Sequence, residues 1–390
     1  MEVSEYSWII GVIFGLVIII ILAMLFFGWK KKKREYQYIE PIPYYHDTLV
    51  LDSFEKMSHD TKREIDRCLF DVGEEIGSGN FGKVFVGKLH ELYGPASNTA
   101  VAIKTAHGTA NENAIHDLLL EIKLLSYIDA HPNLVSMIGS CVSELKSTGK
   151  VWLIIEFCDF GDLKTYLKEN KHKLLQDNES DSLNSRCLLK WSHGIAKGMQ
   201  HLEESKIMHG DLAARNILMS KDILGGECPI AKVADFGLAK KLYETNYQKT
   251  SRLLVPWKWM APEFLTDDIF TLKSDVWSFA VLFWEILSFG QNPYGRQEYE
   301  EVLTKLKSGY RLPYPIDTKN VTSWHPEEMY SAVTQRCFEE DPDKRANFNE
   351  VLKLIEDTLT EAEKSYYAQM IATYESDYSS NYIKIGDSSS

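Results

Sequence analysis

No two of the six cysteines (Cys68, Cys141, Cys158, Cys187, Cys228 and Cys337) form a C-x-x-C pair, and none has histidines grouped near it. Such spacing argues against a disulfide framework or a zinc site and for free thiols in a reducing compartment. Basic charge is scarce too. The net charge of −13 at pH 7 argues against nucleic-acid binding, which needs a basic face to meet phosphates. There is no internal repeat. Charge is missing altogether from the 22 residues between Trp8 and Trp29. A helix of that length would run about 33 Å, against a hydrocarbon layer of about 30 Å. A cleaved leader peptide would need a basic start and a small-x-small cleavage site. Here Glu2 and Glu5 come first and no such site follows.

The sequence therefore predicts one transmembrane helix over 8–29, with Trp8 and Trp29 as interfacial anchors. Lys30, Lys31, Lys32, Lys33 and Arg34 follow at once, which by the positive-inside rule puts the N-terminal residues 1–7 outside and the rest in the cytosol. Seven residues leave no room for a ligand-binding domain. The expected location is the cell membrane, single-pass. Gly11 and Gly15 form a small-xxx-small pair that could serve a homodimer, although glycine is common in membrane helices generally. The basic run would also draw anionic lipid, at about 1 kcal/mol per residue.

Residues 30–69, polar and broken by Pro41 and Pro43, read as a juxtamembrane linker carrying Tyr36, Tyr38, Tyr44 and Tyr45. From Phe70 the texture is globular; with 44% apolar and 25% charged residues the chain can bury a sizeable core. Short β-branched runs (83–86, 101–104) come first. Helical spacing follows at 114–128, 187–204, 274–289 and 326–338. Strands before helices predict an α+β fold in two lobes. Residues 361–390, with Tyr366, Tyr367, Tyr374, Tyr378, Tyr382 and a serine run, are expected to be a disordered tail.

Gly77-Ser78-Gly79-Asn80-Phe81-Gly82-Lys83-Val84 matches G-x-G-x-x-G-x-V. Glycines let a backbone fold tightly over phosphates and point N–H groups at them. A dinucleotide fold uses a similar string, but with a helix directly after the glycines. Here a strand follows, which fits a flap over ATP. Lys104 ends the run Val-Ala-Ile-Lys, where a lone lysine would ordinarily be solvated. Glu121 lies 17 residues on, among Leu118, Leu119, Ile122 and Leu125, and is the favoured partner over Glu112 and Asp117. Such a pair would hold the ammonium at the α- and β-phosphates.

His209-Gly210-Asp211-Leu212-Ala213-Ala214-Arg215-Asn216 and, 19 residues later, Asp235-Phe236-Gly237 complete an ordered set. Over about 70–360 the chain resembles the eukaryotic protein kinases, which implies a bilobal fold with an N-lobe over about 70–157 and a C-lobe over about 158–360. It also implies ATP and Mg²⁺ as cofactors. On the resemblance, Asp211 orients the acceptor hydroxyl and takes its proton, while Asn216 and Asp235 offer the hard oxygens Mg²⁺ prefers. Serine/threonine kinases usually carry lysine two residues after the aspartate. The Ala213-Ala214-Arg215 segment resembles the tyrosine-kinase form instead, with Arg215 reaching Asp211. Pro256-Trp257-Lys258-Trp259-Met260-Ala261-Pro262-Glu263 resembles the substrate platform of receptor tyrosine kinases.

The resemblance further implies a Glu263–Arg345 pair and an Asp275 brace on the catalytic loop. Ile155 would be the gatekeeper, before hinge residues Glu156, Phe157 and Cys158. Ile76, Ala102, Val84 and Leu218 would contact the nucleotide, with Asp162 near the ribose. Gly210 stands where arginine is usual, so a phosphate on Tyr247 would miss its main partner unless Lys240 or Arg252 served, and activity is expected to depend weakly on that phosphate. Trp257, Ala280 and Ala346 also depart from the family pattern, and 220–230 is a longer connection, read as a hairpin. A scaffold without catalysis is the alternative function. Tyr367-Ala368-Gln369-Met370 resembles a Y-x-x-M ligand for SH2-type adaptors. The seven-residue exterior resembles nematode receptor-like tyrosine kinases.

Overall fold

The computed structural model describes residues 63–79, 82–92, 97–106, 112–175, 184–226, 228–236, 255–315 and 327–381. The expected membrane span, the basic run and most of the linker lie outside these, as do Asn80, Phe81, Gly237, Lys240, Tyr247, Arg252 and Tyr382. Among the described residues no helix is long and apolar enough to cross a membrane.

Five antiparallel strands form the first lobe: β1 (Phe70–Gly79), β2 (Gly82–His90), β3 (Asn98–Thr105), β4 (Met137–Cys141) and β5 (Trp152–Glu156), in the order β1-β2-β3-β5-β4. Their inner faces carry Phe70, Leu89, Val101, Ile103, Trp152 and Ile154, which bury together with Ile65 from the preceding segment. Each large side chain of this kind contributes about 1.5–3 kcal/mol by leaving water. Gly87 is needed where β2 runs between β1 and β3, because a Cβ there would lie 2.7 Å from the Asp71 carbonyl oxygen and 2.2 Å from Ile103 Cδ1. Helix α1 (Glu112–Tyr127) repeats apolar residues at Ile115, Leu118, Leu119, Ile122 and Leu125, all buried, with Glu121 buried among them.

The second lobe is helical: α2 (Leu163–Leu174), α3 (Ser185–Glu204), α4 (Pro262–Asp267), α5 (Leu272–Leu287), α6 (Tyr299–Lys307), α7 (Glu327–Cys337) and α8 (Phe348–Glu356). Helix α5 runs through the middle with 13 buried residues, from a capping box of Thr271 and Ser274. A second capping box, Asn347 with Glu350, starts α8. The predicted hairpin exists: β6 (Ile217–Ser220) pairs antiparallel with β7 (Ile230–Val233). Glu263 and Arg345 meet at 2.7 and 2.9 Å, both buried, and Arg345 also donates to the carbonyls of Glu339 and Lys273.

The expected disordered tail is corrected over most of its length. Residues Glu361–Asn381 form helix α9, and the rest of the tail lies outside the described residues. The helix starts at a reciprocal Thr360–Glu363 cap: the Thr360 N–H donates to Glu363 Oε2 (2.9 Å) and the Glu363 N–H to Thr360 Oγ1 (3.2 Å). Tyr367, Met370 and Tyr374 recur at i, i+3 and i+7, placing them on one face that packs against α3, β7 and the segment before β4. Tyrosines form that face, so a composition reading takes it for polar and misses the burial.

Candidate active site

β1 and β2 are joined through 80–81, with Gly77 opposite Val84, Ser78 opposite Lys83 and Gly79 opposite Gly82. The glycine string therefore lies on two paired strands as a flap, and a strand rather than a helix follows it. Gly82 has φ +148, and a Cβ there would sit 2.1 Å from the Thr105 carbonyl oxygen. Ile76 at the end of the flap is 53% exposed, an apolar side chain left open to solvent. Lys83 turns outward to Glu75 (2.7 Å).

Behind the flap, β3 sets Lys104 opposite Val84 and Ala102 opposite Ile155. The Lys104 ammonium donates to both oxygens of Glu121, at 2.8 and 2.9 Å, and lies 3.5 Å from Asp235 Oδ1. Burial disfavours the ammonium, but Glu121 and Asp235 outweigh it and hold its pKa above the ordinary lysine value. A small apolar cluster of Val135, Cys158 and Ala234, with Ile155 and Leu218 against it, lies by the hinge. The Glu156 carboxylate faces away, accepting from the Ser136 N–H (2.6 Å) and from Lys232 (3.1 Å). Burial pushes the Cys158 thiol up to about 12. Asp162 caps α2, accepting from the Thr165 N–H (2.9 Å) and hydroxyl (2.8 Å).

The catalytic loop is held from beneath by two buried acids. Asp275 accepts the N–H groups of His209 (2.7 Å) and Gly210 (2.9 Å), while burial raises its pKa to about 7 against those bonds. Glu285 accepts the Ala214 N–H (2.9 Å) and Trp259 Nε1 (2.8 Å). It joins the loop to the segment that carries Trp259. Sequence reading missed it, although a glutamate inside the apolar run Phe283-Trp284-Glu285-Ile286-Leu287 is a usable signal. The His209 ring lies 3.0 Å from the Ala234 carbonyl through Nε2 and 3.2 Å from the Asp211 N–H through Nδ1. That pattern is the neutral Nε2–H tautomer, in keeping with burial driving its pKa down to about 4.

Arg215 pairs with Asp211 and lies over the Trp259 ring, 4.4 Å from its centroid. Burial raises the Asp211 pKa, with Arg215 and Asn216 pulling the other way. Asn216 donates its amide to the Asp211 carbonyl (2.7 Å), which leaves its side-chain oxygen to face a cation. Its own carbonyl takes the Ala234 N–H (2.8 Å), tying it to the residue before Asp235. Asp235 has φ +61, a left-handed conformation that costs a non-glycine residue about 1–3 kcal/mol. Asn216 and Asp235 are hard oxygen donors and fit Mg²⁺, which completes its shell with water and phosphate oxygens. Gly210 has φ +80. Glycine takes that conformation freely, so the departure from arginine also relaxes the loop.

Residues 70–355 match the family described as protein tyrosine and serine/threonine kinase. The chain belongs to that family. It is 36% identical over 314 residues to tyrosine protein-kinase src-1 of Caenorhabditis elegans, covering 80% of this chain and 53% of that protein. It is 32% identical over 339 residues to a fibroblast growth factor receptor of Halocynthia roretzi, covering 82% and 42%. With fibroblast growth factor receptor 1 of Xenopus laevis it is 31% identical over 324 residues, covering 81% and 38%. The chain thus spans about a third to a half of the length of these relatives.

Proposed function

We propose that this kinase-family chain is an active, membrane-tethered protein-tyrosine kinase that moves the γ-phosphate of ATP to tyrosine hydroxyls of proteins, its own tyrosines among them. The observation that carries the reading is the closed Lys104–Glu121 pair with Asp235 at 3.5 Å, opposite an Asp211 already engaged by Arg215. Catalysis of this transfer is mostly charge neutralisation and alignment. Lys104 neutralises the α- and β-phosphates. Bound Mg²⁺, held by Asn216 and Asp235, would offset charge on the transferring group. Asp211 accepts the hydrogen bond of the acceptor hydroxyl and takes its proton as the oxygen–phosphorus bond forms and ADP leaves. Arg215 holds that carboxylate in place from its seat on Trp259. The flap glycines cover the phosphates, while Ala102 and the cluster at Cys158 and Leu218 receive the adenine.

Tyrosine as acceptor is supported by Ala213-Ala214-Arg215 and by Trp257, half-buried against Tyr299 at 5.7 Å between ring centroids. A platform of rings suits a phenol better than a short serine. The tether is supported by the uncharged run 8–29 and the basic run 30–34. The test uses the full-length chain with Mg·ATP and a tyrosine copolymer, beside Asp211→Asn. Phosphotyrosine is expected from the first and none from the second; equal signals refute catalysis by this site.

A further inference from the structure

Helix α9 spends its tyrosines on the kinase body. The Tyr367 hydroxyl donates to Asn133 Oδ1 (2.7 Å), and its ring stands edge-on to His193 with centroids 4.6 Å apart. Met370 is 3% exposed. Tyr374 hydrogen-bonds Ser136 and lies under the Lys232 ammonium, 5.0 Å from the ring centroid. Arg186 grips Glu363 through two nitrogens. Asn133 and Ser136 belong to the segment between α1, which carries Glu121, and β4. Ser136 and Lys232 both bond hinge residue Glu156. The helix therefore rests on the back of the nucleotide site.

Both recognition elements of the Y-x-x-M tetrapeptide are consumed here. An SH2-type module needs an extended peptide with a free phosphotyrosine and a free methionine; the docked helix offers neither. Docking by α9 and reading by a partner exclude each other.

A phosphate on Tyr367 would also break the dock. It replaces a donor with a dianion facing the Asn133 side-chain oxygen. That amide cannot turn to help, because its Nδ2 donates to the Ala231 carbonyl (2.9 Å) and is wedged against Gly194. Of the nearby cations, Lys197 is bound to Glu356 (2.9 Å), Lys190 lies over the neighbouring Tyr366 ring (5.9 Å from its centroid), and burial keeps His193 below its ordinary pKa. Beneath the helix lies a cavity of about 300 Å³, lined by Trp191, Cys228, Ile230, Leu359 and Met370 among others.

We propose that α9 is a detachable latch over its own docking sequence, and that phosphate on the Tyr367 hydroxyl releases it for a partner that reads phosphotyrosine followed by methionine. The modification forms a bond from Tyr367 Oη to the γ-phosphorus of ATP and breaks the bond between that phosphorus and the β,γ-bridging oxygen. The hydroxyl proton passes to the acting kinase's carboxylate, and ADP leaves. Any tyrosine kinase that meets the helix undocked can write the mark, which then prevents return.

The test uses the full-length Asp211→Asn chain, so it does not depend on this chain's own catalysis. Phosphotyrosine is encoded at 367 in one sample, with tyrosine or Tyr367→Phe in the others. Amide hydrogen exchange is followed over 361–376, with 185–204 as an internal check on folding. Phosphotyrosine is expected to speed exchange over 361–376 at least tenfold, leave 185–204 protected, and let a Y-x-x-M-selective SH2 domain retain the chain. The tyrosine and phenylalanine samples stay protected and are not retained. Exchange unchanged by the phosphate, exchange in the tyrosine sample already as fast as in a free peptide, or loss of protection throughout 185–204 would each overturn the latch.

Discussion

Lys104 ends a strand whose other residues are apolar, and an isolated lysine there would reach for water. Glu121 and Asp235 reverse that preference by drawing the ammonium inward. Lys104→Met should keep the fold and lower kcat/KM on a tyrosine copolymer at least a hundredfold, about 3 kcal/mol of transition-state stabilisation. Its partner was legible in sequence because Glu121 sits on a buried helix stripe. Glu285 was not, because its partners, Ala214 and Trp259, are distant in the chain. Glu285→Ala should lower kcat more than it raises KM, while Glu285→Gln, whose oxygen can take the place of Oε2 and accept both N–H groups, recovers much of the loss. For Gly210, a glycine at φ +80, Tyr247→Phe is expected to lower turnover less than tenfold in a steady-state assay. A larger loss means that loop phosphate still matters.

Two buried histidines weaken the fold in acid. Burial holds His209 at about 4 and His131 at about 3, below the ordinary 6.5. Unfolding frees both to take up protons, so stability is intact above pH 6.5 and is lost as pH falls from 6.5 toward 4. Between pH 6.5 and 5 each group costs about 2 kcal/mol. Urea unfolding at pH 7 and pH 5 should show the fall, and His131→Gln should lessen it. Equal pH dependence in the variant contradicts this assignment.

Helices and strands divide by how they signal themselves. α1, α3, α5 and α7 were legible because apolar residues repeat at helical spacing, and the flap because glycines interrupt β-branched runs. α9 escaped because tyrosine hydroxyls and a glutamate make its buried face; only the Thr360-x-x-Glu363 cap marked it in advance. Asp162 is a subtler case, since the cap of α2 and a ribose contact use the same carboxylate. Asp162→Ala should cost about 1 kcal/mol of stability and raise KM for ATP. Asp162→Ser should restore the cap but not the KM. If both variants leave KM unchanged, Asp162 serves the helix alone.

For the whole molecule, two lobes and their order followed from strands preceding helices, and the resemblance supplied the pairs that lock them. The buried Glu263–Arg345 pair illustrates the stakes: Glu263→Ala leaves a buried guanidinium unpaired and should destabilise the chain by about 3–5 kcal/mol, read by urea unfolding. The proposed membrane tether rests on an uncharged run and a basic one, both outside the described residues. The proposed tyrosine acceptor rests on three residues, Ala213, Ala214 and Arg215, and on Arg215 pairing with Asp211 across the loop. The central claim is tyrosine transfer by this site. It is tested most directly by initial rates of the full-length chain on two peptides that differ only in a single tyrosine or serine acceptor. The account predicts transfer to the tyrosine peptide at least a hundredfold faster than to its serine twin. Equal rates, or a preference for serine, would contradict it.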